Sequence, residues 1–225
     1  MMEVIRNIIF TIIKPAELFN HCKEKNNWLP VLLIIIIICI FSSFLIVPSL
    51  ISEQIERVKR DDSKSEQLKK ENLAYLNSSY HHFSTYLSTI FTEVFYYPIL
   101  AFFLTILPLV SGGKGTKYSY LFTGVLYIGI LNSTGFLLDS VLKLKLNSMD
   151  IGLNLALFFN SSDLFINSLL KKINIFGLWQ VVLLTIMISV YFNYNKIKSF
   201  LIIFNTWAVI KLISAYFTYL RLTIK

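Results

Sequence analysis

The sequence predicts an all-α integral membrane protein, a bundle of five transmembrane helices with an N-terminal interfacial helix. Three observations predict it. Of 225 residues, 55% are apolar and only 15% charged, against roughly 45–50% and about 25% in an ordinary soluble domain. Mean hydropathy is +0.63. The apolar residues also gather into uncharged runs long enough to cross a bilayer, which takes about 20 residues. A water-soluble fold of this size cannot hide so much apolar surface, and five spans leave no room for a large soluble catalytic domain.

Residues 1–27 read as amphipathic, interfacial helices. At about 100° per residue, Val4, Ile5, Ile8, Ile9, Ile12 and Ile13 share one half of a helix. Arg6, Asn7, Thr11 and Lys14 share the other, and Phe10 is the misfit. The pattern suits a helix lying in the membrane interface. A signal peptide is the competing reading, but Glu3 precedes the apolar run and no small-residue cleavage site follows. Pro15 ends this helix and can open a second, since proline suits a first helical position.

Residues 28–225 form the membrane domain, with spans at about 29–50, 84–110, 118–138, 175–194 and 197–220. The first carries five consecutive isoleucines, residues 34–38, and no charge. The second contains Pro98 and Pro108, tolerated where neighbouring helices satisfy the freed carbonyls. Gly124, Gly129 and Gly135 in the third leave gaps for close helix approach, and Asn132, Ser133 and Thr134 offer hydrogen bonds. The fourth contains Trp179 and Gln180, and Arg221 and Lys225 anchor the end of the fifth.

Two connections stand apart from the short turns. Residues 52–82 hold six acids, including Asp61 and Asp62, and six bases, including Lys64. Pairs such as Glu53–Arg57 and Glu66–Lys70 at i,i+4 favour a charged helical loop, and Leu68, Leu73 and Leu76 give it a thin apolar stripe. Residues 142–174 mix Lys143, Lys145, Asp150 and Asp163 with a stretch at 153–159 too short to span.

The net charge of +8 does not indicate nucleic acid, because the basic residues are spread over every loop. They read as headgroup anchors. Orientation stays open on charge alone: the Lys and Arg totals favour an outside N-terminus, while the tight basic loops Lys114/Lys117 and Lys196/Lys198 favour an inside one.

Two ionisable residues lie deep within spans. Glu93 precedes the middle of the second and Lys211 follows the middle of the fifth. Those spans run in opposite directions, so both displacements point to one side, about 4–7 Å from the midplane at ~1.5 Å per residue. They can therefore pair. A charge at such depth costs about 2.5–3.5 kcal/mol on insertion scales and is usually satisfied or functional. The functional reading is a proton or ion relay on Glu93; the plainer one is a neutralising pair or a snorkelling lysine that fixes helix register.

Other constellations carry less. Gly112-Gly113-Lys114-Gly115 lacks the Walker spacing and reads as a turn. Adjacent His81 and His82 cannot form an i,i+4 metal pair. Cys22 and Cys39 have no metal or disulfide spacing. No catalytic, cofactor or metal residues are assigned, and the expected partners are the lipid bilayer and other membrane proteins or a second copy.

Three places resemble the Yip (Ypt/Rab-interacting protein) domain family, in its short bacterial branch. Pro15 and Phe19, with Trp28 and Pro30 following, look like the family's P-x-x-x-F helix ahead of the first span. The glycine-rich turn at 112–115 leads into a third span with polar residues. Phe176 and Trp179 look like the x-F-x-x-W start of the fourth span. The resemblance implies a five-span, non-enzymatic protein of membrane organisation, in the bacterial cytoplasmic membrane with a cytosolic N-terminus. The eukaryotic members' Asp-Leu-Tyr-Gly-Pro motif and long N-terminal region are missing, which argues against a Rab-type GTPase partner. The runner-up reading is a small transporter or channel subunit using Glu93 and Lys211.

Overall fold

The computed structural model describes residues 2–61, 65–112, 115–146, 148, 151–159 and 161–223. Asp62, Lys64, Gly113, Lys114, Asp150 and Lys225, singled out above, lie outside the described residues. Among those described the fold is all-α, with one isolated bridge between Asn154 and Asn174. Five helices are long and apolar enough to cross a membrane.

The chain opens with α1 (Met2–Ile13) and α2 (Pro15–Glu24), an antiparallel hairpin hinged at Lys14. Pro15 sits in the first turn of α2, where its missing N–H costs nothing. The open end of the hairpin is tied by Glu3, whose Oε1 meets His21 Nε2 at 2.8 Å and Lys25 Nζ at 3.2 Å. These contacts hold the Glu3 carboxyl below the usual carboxylate range, His21 contributing most and Lys25 next. Leu18, Phe19 and Cys22 on α2 are fully buried, and burial pushes the Cys22 thiol up to about 12.

Helix α1 turns Asn7 and Thr11 inward together with Val4. Asn7 and Thr11 are buried, whereas Ile5, Ile9, Ile12 and Ile13 are exposed. Asn7 Nδ2 donates to Tyr127 OH at 3.1 Å, and Lys23 Nζ donates to the Val190 carbonyl at 2.8 Å. A helix surrounded by lipid gains nothing by hiding isoleucine, but it gains by giving amide and hydroxyl groups a protein partner. Ile12, at the closed end, lines a cavity with Leu131, about 20 Å along the helix that begins at Tyr118.

The first span helix is α3 (Trp28–Arg60). It continues past the apolar run because Arg57 pairs with Glu53, and Arg60 with Glu56 at 2.8 Å, both at i,i+4. At about 1.5 Å per residue it is longer than the roughly 30 Å hydrocarbon core, so its charged end projects beyond. Helix α4 (Glu66–Leu76) is capped by Ser65 and lies against α3. Ser78 then caps α5 (Ser79–Ser111) by accepting from His81 N–H at 3.2 Å. His81 also meets Gln54 at 3.1 Å, tying α5 to α3.

Gly112 ends α5 with φ +69°, a left-handed conformation that glycine adopts without a Cβ penalty. Next comes α6 (Tyr118–Leu146), against which α3, α5 and α8 (Ile175–Phe192) pack. It is the most enclosed span: 61% of its apolar segment is buried, against 17% for α5 and 11% for α9 (Lys196–Thr223). Between α6 and α8, Leu155–Leu157 make a single 3-10 turn and α7 (Leu164–Lys172), capped by Asp163, packs on α9.

The helices overrun the expected spans, chiefly where α3 reaches Arg60 and α6 reaches Leu146. Alternation puts the hairpin, the end of α5 at Gly112, residues 115–117 and the 193–195 turn on one face of the bundle. Contacts there agree: Lys198 Nζ donates to the Ser111 carbonyl at 2.7 Å, and Thr123 donates to Asn26. The charged α3–α4 corner and residues 151–174 lie on the opposite face.

Candidate intramembrane polar cavity

A cavity of about 400 Å³ opens between α5, α6, α8 and α9 on the half nearer that opposite face. Thr92, Glu93, Tyr96 and Tyr97 form its α5 wall. Asn132, Gly135, Phe136, Asp139 and Lys143 form its floor on α6. Asn174, Phe176, Gly177 and Gln180 line it from the start of α8, and Lys171 and Lys211 from α7 and α9.

Each wall is set by local chemistry. Tyr97 is buried, its hydroxyl donating to the Gly129 carbonyl at 3.2 Å and meeting Ser133 Oγ at 3.0 Å. That locks α5 onto α6. Gln180 Nε2 donates to Tyr96 OH at 3.1 Å, joining α5 to α8. Asn174 caps α8 by accepting the Gly177 N–H. Asp139 does two things: it receives Lys143 Nζ at 2.7 Å and accepts the Leu153 N–H at 2.9 Å, pinning the loop over the cavity mouth.

Glu93 and Lys211 thus line one cavity. Among the described residues no ion pair joins them. Lys211 Nζ lies 5.9 Å from the centre of the Trp207 ring, a cation–π distance. Of the expected motif residues, Pro15, Phe19, Trp28 and Pro30 lie toward the hairpin face, and Phe176 and Trp179 lie at the start of α8 on the cavity half. Pro15 opens α2 and Phe19 packs edge-on against Tyr191 with centroids 6.1 Å apart. Trp28 starts α3 and leans on Phe122, with Pro30 in the same first turn. Trp179 lines a second, apolar cavity of about 440 Å³ with Ile12, Leu131 and Val182. Phe176 lines both cavities and lies against Gly135, where a Cβ would meet its ring at 2.5 Å.

The sequence reading missed Asp139, Lys171 and the two tyrosines as cavity residues. The i,i+4 spacing of Asp139 and Lys143 was the available signal for one of them. Among the described residues, no group of His, Cys, Asp or Glu is placed to hold a metal ion. What the cavity offers is opposite charges and amide groups at membrane depth, a setting for a small charged or zwitterionic group.

A family model described as the Yip1 domain matches residues 9–217. No curated protein and no solved structure matches the chain.

Proposed function

Because this chain belongs to the Yip1 domain family, we propose that it is a non-enzymatic scaffold or interaction protein of membrane organisation or trafficking. One observation carries the reading: α5 and α9 leave most of their apolar surface facing outward around the enclosed α6. Phe102, Phe103 and Phe217 are among the exposed side chains. Such aromatic faces suit contact with other membrane proteins or a second copy. The proposed setting is the bacterial cytoplasmic membrane with a cytosolic N-terminus.

Photo-crosslinking residues placed at Phe103 and Phe217 test this in the native membrane. A scaffold gives discrete protein adducts at one or both positions; lipid adducts alone at both would defeat the reading. For orientation, single cysteines at Glu71 and Asp163 should label from outside and one at Lys117 should not. The reverse pattern would overturn a cytosolic N-terminus.

A second reading, a small transporter or channel subunit, is favoured by the shared cavity of Glu93 and Lys211. It requires that Glu93→Gln abolish proton-coupled flux in reconstituted liposomes. If the parent protein carries no flux, this reading fails.

A further inference from the structure

We propose that the polar cavity between α5, α6, α8 and α9 binds an ammonium–phosphate zwitterion, the headgroup of an ethanolamine phospholipid. The inference is independent of whether the protein is a scaffold.

The charges select the ligand class. Asp139 and Lys143 are engaged with each other at 2.7 Å and with the loop at Leu153, so they shape the mouth. Glu93 and Lys211 face the same space, with no ion pair between them or to any other described residue. Charges at lipid depth are satisfied by partners of opposite sign. A simple anion would compensate Lys211 and be repelled by Glu93; a simple cation would do the reverse. A ligand carrying both signs compensates both. The phosphate therefore lies at Lys211 and the ammonium at Glu93.

The uncharged lining favours a primary over a quaternary ammonium. Gln180 Nε2 is used by Tyr96, which leaves its carbonyl oxygen as an acceptor in the cavity that Glu93 also lines. An –NH₃⁺ group has three N–H donors for such acceptors; a choline has none. At about 400 Å³ the cavity falls within the usual range for small-molecule sites, about 300–1,000 Å³.

The bilayer is the source the architecture favours. Helix α5 packs against α3 and α6, and α9 packs against α7 and α8. Between them the cavity wall carries the exposed Thr92 and Tyr96, so it opens sideways toward lipid.

The test is native mass spectrometry of the purified full chain, incubated with equimolar phosphatidylethanolamine, phosphatidylcholine and phosphatidylglycerol. Phosphatidylethanolamine is expected to be retained about tenfold over the other two, as charge-assisted hydrogen bonds warrant. Glu93→Gln should reduce that preference to near parity, whereas Lys211→Gln should lower retention of all three lipids about tenfold, since each carries the phosphate. Asn132→Leu keeps both charges and suits a lipid environment; it should lower the preference by about threefold, and it decides the matter if a charge variant misfolds. Equal retention of the three lipids, or no change in any variant, overturns the site. Preference for phosphatidylglycerol overturns the zwitterion. Free phosphoethanolamine that binds in the absence of lipid and displaces it overturns the bilayer as source.

Discussion

Gly129→Ala should loosen the bundle at its centre. An added Cβ would lie 2.6 Å from Tyr97 Cε1, 2.9 Å from Cζ and 3.0 Å from Cδ1. Carbon atoms pack at about 3.5–4.0 Å, so the ring must retreat by about 1 Å. Tyr97 is buried on every side and cannot swing away. The retreat stretches its hydroxyl contacts, now 3.2 Å to the Gly129 carbonyl and 3.0 Å to Ser133, beyond hydrogen-bonding range. Overpacking costs roughly 1–3 kcal/mol and each lost hydrogen bond about 1 kcal/mol. The better helix propensity of alanine returns about 1 kcal/mol. The net loss is roughly 2–4 kcal/mol. Gly124→Ala is the control. Its Cβ would meet Met187 Sδ at 2.7 Å and Tyr191 OH at 3.0 Å. The methionine sulfur on its flexible chain moves aside and the tyrosine need yield only a few tenths of an ångström, so the net effect should stay within about 1 kcal/mol. Reversible unfolding in mixed detergent–SDS micelles measures both. In a Tyr97→Phe background the Gly129→Ala cost should fall by the hydrogen-bond share. The reasoning is refuted if Gly129→Ala is as stable as the parent, or costs no more than Gly124→Ala.

Two further outcomes follow from the contacts. The Glu3 carboxyl is held low by His21 and then Lys25, so its contribution is complete above the ordinary carboxylate value, about 4.3, and is lost as pH falls through the lowered value. In a Cys39→Ala background, Cys22 should therefore resist a dithiodipyridine probe at pH 7 and react as the hairpin opens in acid. Glu3→Gln should remove that pH dependence, and persistence of the dependence would contradict the assignment. Asp139→Ala should release the loop at Leu153, raising amide exchange there by about tenfold for a loss of roughly 1–3 kcal/mol. An unchanged Leu153 exchange rate would show that the loop is held by something else.

Much of this fold is legible in one dimension. Long apolar runs define the five span helices because lipid imposes one rule, length, on every crossing element. Helical rise converts residue number into distance, which put Glu93 and Lys211 at the same level, and the two do line one cavity. What was not legible depends on register between helices. The glycines of the third span signal close approach, yet nothing local says that Tyr97 fills the gap at Gly129 or Phe176 the one at Gly135. Asp139 gave an i,i+4 pair with Lys143, but its bond to Leu153 crosses a loop. In α1 the periodicity divided the residues into an apolar and a polar half, whereas the buried residues are Val4 from the first and Asn7 and Thr11 from the second.

The hairpin also bears on the order in which the molecule is assembled. Its anchoring partners are distant in the chain: Asn7 holds Tyr127, 120 residues later, and Lys23 holds the carbonyl of Val190, 167 residues later. Helix α2 packs along α8, whose last turn follows three earlier spans. The hairpin is made before α6 and α8 and therefore waits for them before it finds its seat. Until α8 is in place, α2 lacks the largest of its packing surfaces. Long-range closure of this kind is slow relative to local helix pairing, so the hairpin is among the last parts to become native.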